Sequence, residues 1–241
     1  MSNYSLVILF TSIISLLGTM IGTIFGIIIR NPTNKFLSYI MGIASGIMLS
    51  IVCLNLLPES IKNSGIFFTI IYFFIGVIII LIINKLYILK NNNANELTKV
   101  AFLVILGLSI HNLPEGLIMG CGIGIGSSLG VKMSLLIVMH DIPEGIAVAA
   151  PLMAARQKVS KIIFYSFLSS VPTMVGALIG LYLGVVSKET LGILFAFVSG
   201  IMSYIICREM IPESSKFYNG VITTLGVVVG IILGIVMIKV F

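Results

Sequence analysis

Two hexapeptides near the middle of the chain each place a histidine four residues before a glutamate. The first reads His-Asn-Leu-Pro-Glu-Gly at 111–116, and the second reads His-Asp-Ile-Pro-Glu-Gly at 140–145. Residues four apart on a helix share a face about one turn apart, so each hexapeptide offers an imidazole nitrogen and a carboxylate oxygen together. This donor set suits zinc, iron, manganese, cobalt or cadmium, whereas calcium and magnesium prefer oxygen ligands alone.

Prolines and glycines within the hexapeptides indicate a cavity between two helices. Pro114 and Pro143 have no amide hydrogen, so each should bend its helix and free a backbone carbonyl in the preceding turn. Broken helices of this kind occur where the backbone of a membrane protein lines a polar cavity. Gly116 and Gly145 would let a neighbouring helix approach closely at the bend.

The composition indicates that membrane-spanning helices carry these residues. Hydrophobic residues make up 59% of the 241 residues and charged residues only 9%, whereas soluble domains hold about a quarter charged residues. A membrane span needs roughly 20 apolar residues, so the chain accommodates about eight spans and no separate soluble domain. We predict an all-α integral membrane protein with a single transmembrane domain, 1–241. Its eight helices are expected at 5–29, 36–57, 66–89, 100–121, 131–152, 161–184, 190–211 and 219–240.

The basic residues predict the orientation of these helices. Most of the 14 basic residues fall in the first, third, fifth and seventh connections. Because basic connections stay in the cytoplasm, we expect a multi-pass protein of the cell membrane with both termini extracytoplasmic. The basic residues occur singly between apolar runs, which excludes a nucleic-acid-binding patch. The cytoplasmic set is Arg30, Lys35, Lys85, Lys90, Lys99, Arg156, Lys158, Lys161, Arg208 and Lys216, and the other side holds only Lys62, Lys132, Lys188 and Lys239.

This orientation brings the two hexapeptides to the same depth in the membrane, since the fourth helix runs outward and the fifth inward. An ionised carboxylate at the bilayer centre costs about 3 kcal/mol, so Glu115, Asp141 and Glu144 need compensation. A divalent cation bound between the helices would supply it. The alternative is a pair of bent packing helices whose polar groups hydrogen-bond one another.

The residues in this region resemble those of the ZIP (Zrt/Irt-like) metal transporters, especially the short bacterial members that take up zinc and iron. The resemblance rests on the two His-x-x-Pro-Glu-Gly motifs, on Ala-Val-Ala-Ala-Pro-Leu at 147–152 and on the predicted topology. It implies a binuclear metal centre between helices four and five, with Glu115 and Glu144 as bridging ligands. The implied metal ligands are His111, Asn112, Glu115, His140, Asp141 and Glu144.

Two positions depart from the family pattern. Several members place a glutamate next to a proline in helix six as a further ligand, but Thr173 occupies that place here. The sequence leaves open whether a second metal site survives. The loop at 84–99 also holds no histidine, although the corresponding loop of the family is often rich in histidine.

A second repeated motif predicts the two mouths of the pathway. Leu-Leu-Pro-Glu-Ser at 56–60 and Met-Ile-Pro-Glu-Ser at 210–214 should end the second and seventh helices at Pro58 and Pro212, on opposite sides of the membrane. This pairing indicates an inverted repeat of helices 1–3 and 6–8 around helices 4–5. We expect Glu59 to attract cations at the outer mouth, and Glu209 with Glu213 to receive them inside. Solvation of helix ends explains these glutamates equally well.

The three cysteines add no further metal motif. Cys53, Cys121 and Cys207 lie far apart in or beside apolar segments, without Cys-x-x-Cys spacing. We expect them to be packing residues.

Together these patterns predict a secondary transporter for divalent transition metals, with zinc or a related ion as its substrate, rather than an enzyme. Because the sequence has no Walker motif, the ion gradient, the membrane potential or a proton must drive transport. Competition between protons and metal at histidine would weaken binding as the pH falls below the imidazole range. Two rival functions are an intramembrane zinc-dependent hydrolase and a metal-efflux antiporter. The preferred metal, the direction, proton coupling and a homodimer all stay open.

Overall fold

The computed structural model describes residues 2–29, 33–90, 109, 112–124, 128–154, 156–184 and 187–240. In these ranges nearly every residue is helical, and none forms a strand. The α-helices are α1 (Ser2–Ile28), α2 (Asn34–Ile51), α3 (Leu57–Lys90), α4 (112–124), α5 (Ser128–Ala154), α6 (Val159–Gly184), α7 (Lys188–Ile205), α8 (Ile211–Phe217) and α9 (Gly220–Val240). Two π-helical segments, Val52–Leu56 and Ile206–Met210, connect α2 with α3 and α7 with α8.

Polar residues fix where three of the helices begin. The Thr33 hydroxyl accepts a hydrogen bond from the Phe36 amide at 3.2 Å, and the Ser187 hydroxyl accepts one from the Thr190 amide at 3.1 Å. The Asn219 side chain accepts one from the Ile222 amide at 3.1 Å. Such caps satisfy amide groups that a helix leaves without partners in its first turn.

The prediction that Pro58 and Pro212 end their helices is wrong. The chain stays helical past Pro58, until Gly65, and past Pro212, until Phe217. Each proline follows a π segment and lies in the first turn of the next α-helix, where its missing amide hydrogen is not needed. The break comes at Gly65, whose φ of 80° is left-handed and suits glycine.

Glycines bring the helices together in pairs. The main pairs are α2 with α9, α3 with α7 and α1 with α5. Between α3 and α7, a Cβ atom on Gly76 would overlap the Phe197 carbonyl oxygen, and one on Gly200 would overlap the Phe73 carbonyl oxygen. Missing side chains let helix backbones approach closely, which is how helices associate in membranes.

Apolar side chains also cover the outside of the molecule. Along α9 an exposed stripe recurs at helical spacing, at Val221, Leu225, Val228, Ile232 and Val236. Among the described residues, four helical stretches are long and apolar enough to cross a membrane: Asn34–Ile83, Val159–Leu183, Lys188–Phe217 and Gly220–Lys239. Gly65 divides the first of these stretches. The chain is therefore an all-α, multi-pass membrane protein.

The cysteines differ from one another in their surroundings. Cys121 is buried in the apolar core with Met48, Phe195 and Met202, so the prediction of a packing role is confirmed for this residue. Cys53 and Cys207 are exposed, and for them the prediction is wrong. Both lie at the second position of a π segment.

Candidate metal centre

Four of the six predicted metal ligands have described side chains, and all four are buried. Asn112 and Glu115 lie on α4, and Asp141 and Glu144 lie on α5, each exposing at most 3% of its surface. For His140 the structure describes the backbone, within α5, but not the side chain, and His111 lies outside the described residues. Within the described set, no three His, Cys, Asp or Glu residues come close enough to hold a metal ion.

Asp141 is held by a side chain from α1. The Ser15 hydroxyl donates a hydrogen bond to Asp141 Oδ2 at 2.6 Å, and both residues are almost completely buried. This distance is typical of a charge-assisted bond between a hydroxyl and a carboxylate. One oxygen of the carboxylate is therefore fixed.

Asn112, at the matching position of the other hexapeptide, is held by a backbone group of α6. Its Nδ2 group donates a hydrogen bond to the Ser169 carbonyl oxygen at 2.8 Å. Its Oδ1 atom is buried and has no hydrogen-bond partner among the described residues. Because a buried acceptor without a partner is unfavourable, this oxygen suits a cation or a water molecule.

A shared apolar cluster joins α4 and α5 near the acidic residues. Met119 and Ile123 on α4 and Ile137 on α5 belong to this buried cluster, together with Ala177 on α6. Glu115 lies one turn before Met119 on α4, and Asp141 lies one turn after Ile137 on α5. Each helix thus carries an acidic residue one turn from a residue of the shared cluster.

Glycines hold each of these helices against an outer neighbour, as the hexapeptides predict. A Cβ atom on Gly116 would overlap the Thr173 carbonyl oxygen of α6, and one on Gly145 would overlap the Thr19 carbonyl oxygen of α1. Thr173 is itself buried beside α4. The position at which the resemblance implies a further acid in several members thus adjoins α4 and carries a hydroxyl here.

Sequence reasoning missed Ser15 and Ser169, which hold Asp141 and Asn112. A signal for Ser15 was present, because hydroxyl residues recur along one face of α1 and of α6 at spacings of three or four residues. All of them are buried: Ser12, Ser15, Thr19 and Thr23 on α1, and Ser166, Ser169, Ser170 and Thr173 on α6. Ser169 acts through its backbone carbonyl, for which the residue type is no signal.

The three glutamates predicted at the mouths of the pathway lie on elements other than α4 and α5. Glu59 pairs with Lys62 at 3.1 Å, and Glu213 pairs with Lys216 at 2.7 Å. Glu209 is exposed within the second π segment. The carboxylates of Glu59 and Glu213 thus already have a lysine as a neighbour.

The charge around the hexapeptides favours a positively charged guest. Three carboxylates and one amide oxygen are buried on α4 and α5, and no lysine or arginine is buried in the part of the chain that the structure describes. Oxygen ligands of this kind bind divalent cations, and added imidazole nitrogen favours transition metals. The site is therefore chemically suited to cation binding.

These features define a class: multi-pass helical membrane proteins with acidic side chains buried between helices. A sequence model described as "ZIP Zinc transporter" matches residues 89–240, and the chain belongs to the ZIP zinc transporter family. This membership confirms the predicted resemblance, and it makes the chain a transporter of divalent metal rather than an enzyme.

Bacterial relatives are similar along most of their length. The zinc transporter ZupT of Streptococcus mutans is 27% identical over 247 residues, which cover 93% of this chain and 94% of the relative. Zinc transporter ZupT of Chlorobaculum parvum is 28% identical, covering 83% and 85% of the two chains. The protein of the same name from Corynebacterium aurimucosum is 30% identical, covering 85% of each chain.

Proposed function

We propose that the chain takes zinc, or a related divalent transition metal, into the cytoplasm through a site between α4 and α5. The proposed ligands are His111, Asn112, Glu115, His140, Asp141 and Glu144. The observation that carries the proposal is the burial of Asn112, Glu115, Asp141 and Glu144 on two packed helices. The names of the relatives, all zinc transporters, favour zinc among the candidate metals.

We further propose that one transmembrane domain contains eight spans. In the numbering of the eight helices predicted from the sequence, helices 1–3 and 6–8 form an inverted repeat. Two sets of contacts support this architecture. The Ser60 hydroxyl shares a hydrogen bond with Thr69 at 2.9 Å and donates to the Gly192 carbonyl oxygen at 2.7 Å.

The second set repeats the first at a constant interval in the sequence. The Ser214 hydroxyl donates to Thr223 at 3.2 Å and to the Ser38 carbonyl oxygen at 2.6 Å. Corresponding positions in the two sets are separated by the same number of residues along the chain. The pairs are Ser60 and Ser214, Thr69 and Thr223, Ser38 and Gly192, and the π segments Val52–Leu56 and Ile206–Met210. Matching contacts in two halves are what a repeated unit would produce.

Uptake is the proposed direction, and two arguments from charge support it. Basic connections on the cytoplasmic side would leave both termini outside, with Glu59 at the outer mouth and Glu209 and Glu213 at the inner mouth. The membrane potential then favours inward movement by about 4.6 kcal/mol per 100 mV for a divalent cation. The metal exchanges water for protein ligands halfway across, and helix bundles rock around it. A homodimer stays a prediction from sequence.

The test is uptake of radioactive zinc into proteoliposomes of known protein orientation. His111→Ala, His140→Ala and Glu144→Ala should each reduce uptake by roughly a hundredfold, because each removes a proposed ligand of a buried cation. Glu189→Ala, which changes an exposed acid far from the hexapeptides in sequence, is the matched control and should transport normally. Normal uptake by all three ligand variants would exclude this site, and movement only outward would support an efflux antiporter.

A further inference from the structure

The geometry points to Ser15 as a positioning residue that orients Asp141 toward the transported metal. This inference rests on the proposed function, because it assumes that Asp141 is a metal ligand. Ser15 lies on α1, outside both hexapeptides, and its hydroxyl donates to Asp141 Oδ2 at 2.6 Å. A side chain that fixes a ligand from outside the ligand set is a typical feature of metal sites.

Both partners of this hydrogen bond are shielded from water. Ser15 exposes 1% of its surface and Asp141 exposes 2%, so water does not compete for the contact. The bond restricts rotation of the carboxylate and so fixes the orientation in which Asp141 would meet the metal. A carboxylate held in one orientation loses less conformational entropy when it binds a cation.

Close packing of α1 against α5 brings the Ser15 hydroxyl within hydrogen-bonding distance of Asp141. A Cβ atom on Gly18 would lie 2.8 Å from the Val138 carbonyl oxygen and 3.1 Å from Asp141 Cβ. One turn further on, a Cβ atom on Gly22 would overlap the Ile142 carbonyl oxygen. Two glycines, one and two turns from Ser15, therefore keep α1 against the stretch of α5 that carries Asp141.

Comparison with α4 explains why Ser15 is the testable group. Asn112 is held by the carbonyl oxygen of Ser169, a backbone atom that a side-chain substitution does not remove. Asp141 is held by a side-chain hydroxyl, which serine-to-alanine substitution deletes without adding bulk. Ser12, one turn earlier on α1, is equally buried, and its hydroxyl has no hydrogen-bond partner among the described residues. It is the matched control.

The experiment compares zinc uptake by Ser15→Ala, Ser15→Thr and Ser12→Ala in proteoliposomes. Ser15→Ala should raise the KM for zinc roughly tenfold and change the maximal rate less than about twofold, since a lost hydrogen bond to a charged group weakens ligand binding. Ser15→Thr keeps the hydroxyl and should restore KM to near the wild-type value. Ser12→Ala should match wild type. Calorimetric zinc affinity of the purified variants should follow the same order.

A double substitution separates this inference from the proposed function. Ser15→Ala should have no added effect in an Asp141→Ala background, because the group that it orients is gone. If Asp141→Ala binds zinc normally, the proposed ligand set is wrong. If Asp141→Ala weakens binding but Ser15→Ala does not, or if Ser12→Ala is as harmful as Ser15→Ala, the positioning role of Ser15 is wrong and the ligand set stands.

Discussion

The α4 and α5 sides of the candidate site share one hexapeptide pattern, similar packing and unequal charge. On each side a glycine packs against a backbone carbonyl of an outer helix, and a polar residue at the second motif position is held by that same helix. On α5 this residue is Asp141, and on α4 it is Asn112. A carboxylate carries a full negative charge and an amide only a dipole, so α5 should contribute more of the attraction for a cation.

The largest expected effect tests this inequality directly. Asp141→Ala should weaken zinc affinity by roughly a hundredfold and Asn112→Ala by roughly tenfold, because charge on a ligand strongly affects affinity for a divalent ion. Calorimetric titration of purified protein measures both. Equal losses would show that charge does not distinguish the two sides.

A second prediction concerns packing, in which the two sides should behave alike. Gly116→Ala and Gly145→Ala each put a methyl group onto a neighbouring carbonyl oxygen and should destabilise the protein by about 1–3 kcal/mol. The apparent melting temperature in detergent reports this loss. Gly220→Ala meets no atom within 4 Å and is the control. If only one of the two motif glycines is sensitive, the packing on the two sides differs.

The smallest effect is expected at the proposed mouths. Glu59 and Glu213 already pair with exposed lysines one turn away, and salt screens charges at or near the surface. Glu59→Gln and Glu213→Gln should therefore lower the initial rate of zinc uptake by less than about threefold, and only at low ionic strength. A larger loss, or one that persists in high salt, would mean that these carboxylates bind the ion itself.

The fold class and the burial of the acidic residues in the hexapeptides could be predicted because their signals are local. Apolar runs and the spacing within one hexapeptide need no knowledge of neighbouring helices. The continuation past Pro58 could not be predicted in this way, because it depends on the π segment that comes before the proline. Serine contacts such as Ser15 with Asp141 join residues far apart in sequence, and only helix packing brings them together.

The surroundings of the cysteines also could not be predicted from local sequence. All three lie in or beside apolar stretches of sequence, yet only Cys121 faces the protein interior. In lipid, apolar sequence does not distinguish an inward face from an outward face, because both are apolar.

The π segments have a consequence for insertions and deletions during the divergence of related chains. A π turn holds one residue more than an α turn, so loss of a single residue from Val52–Leu56 would leave an ordinary helix with both flanking helices kept in register. Loss of a residue from the middle of α9 would instead rotate everything after it by about 100° and turn its lipid-facing stripe away from the acyl chains.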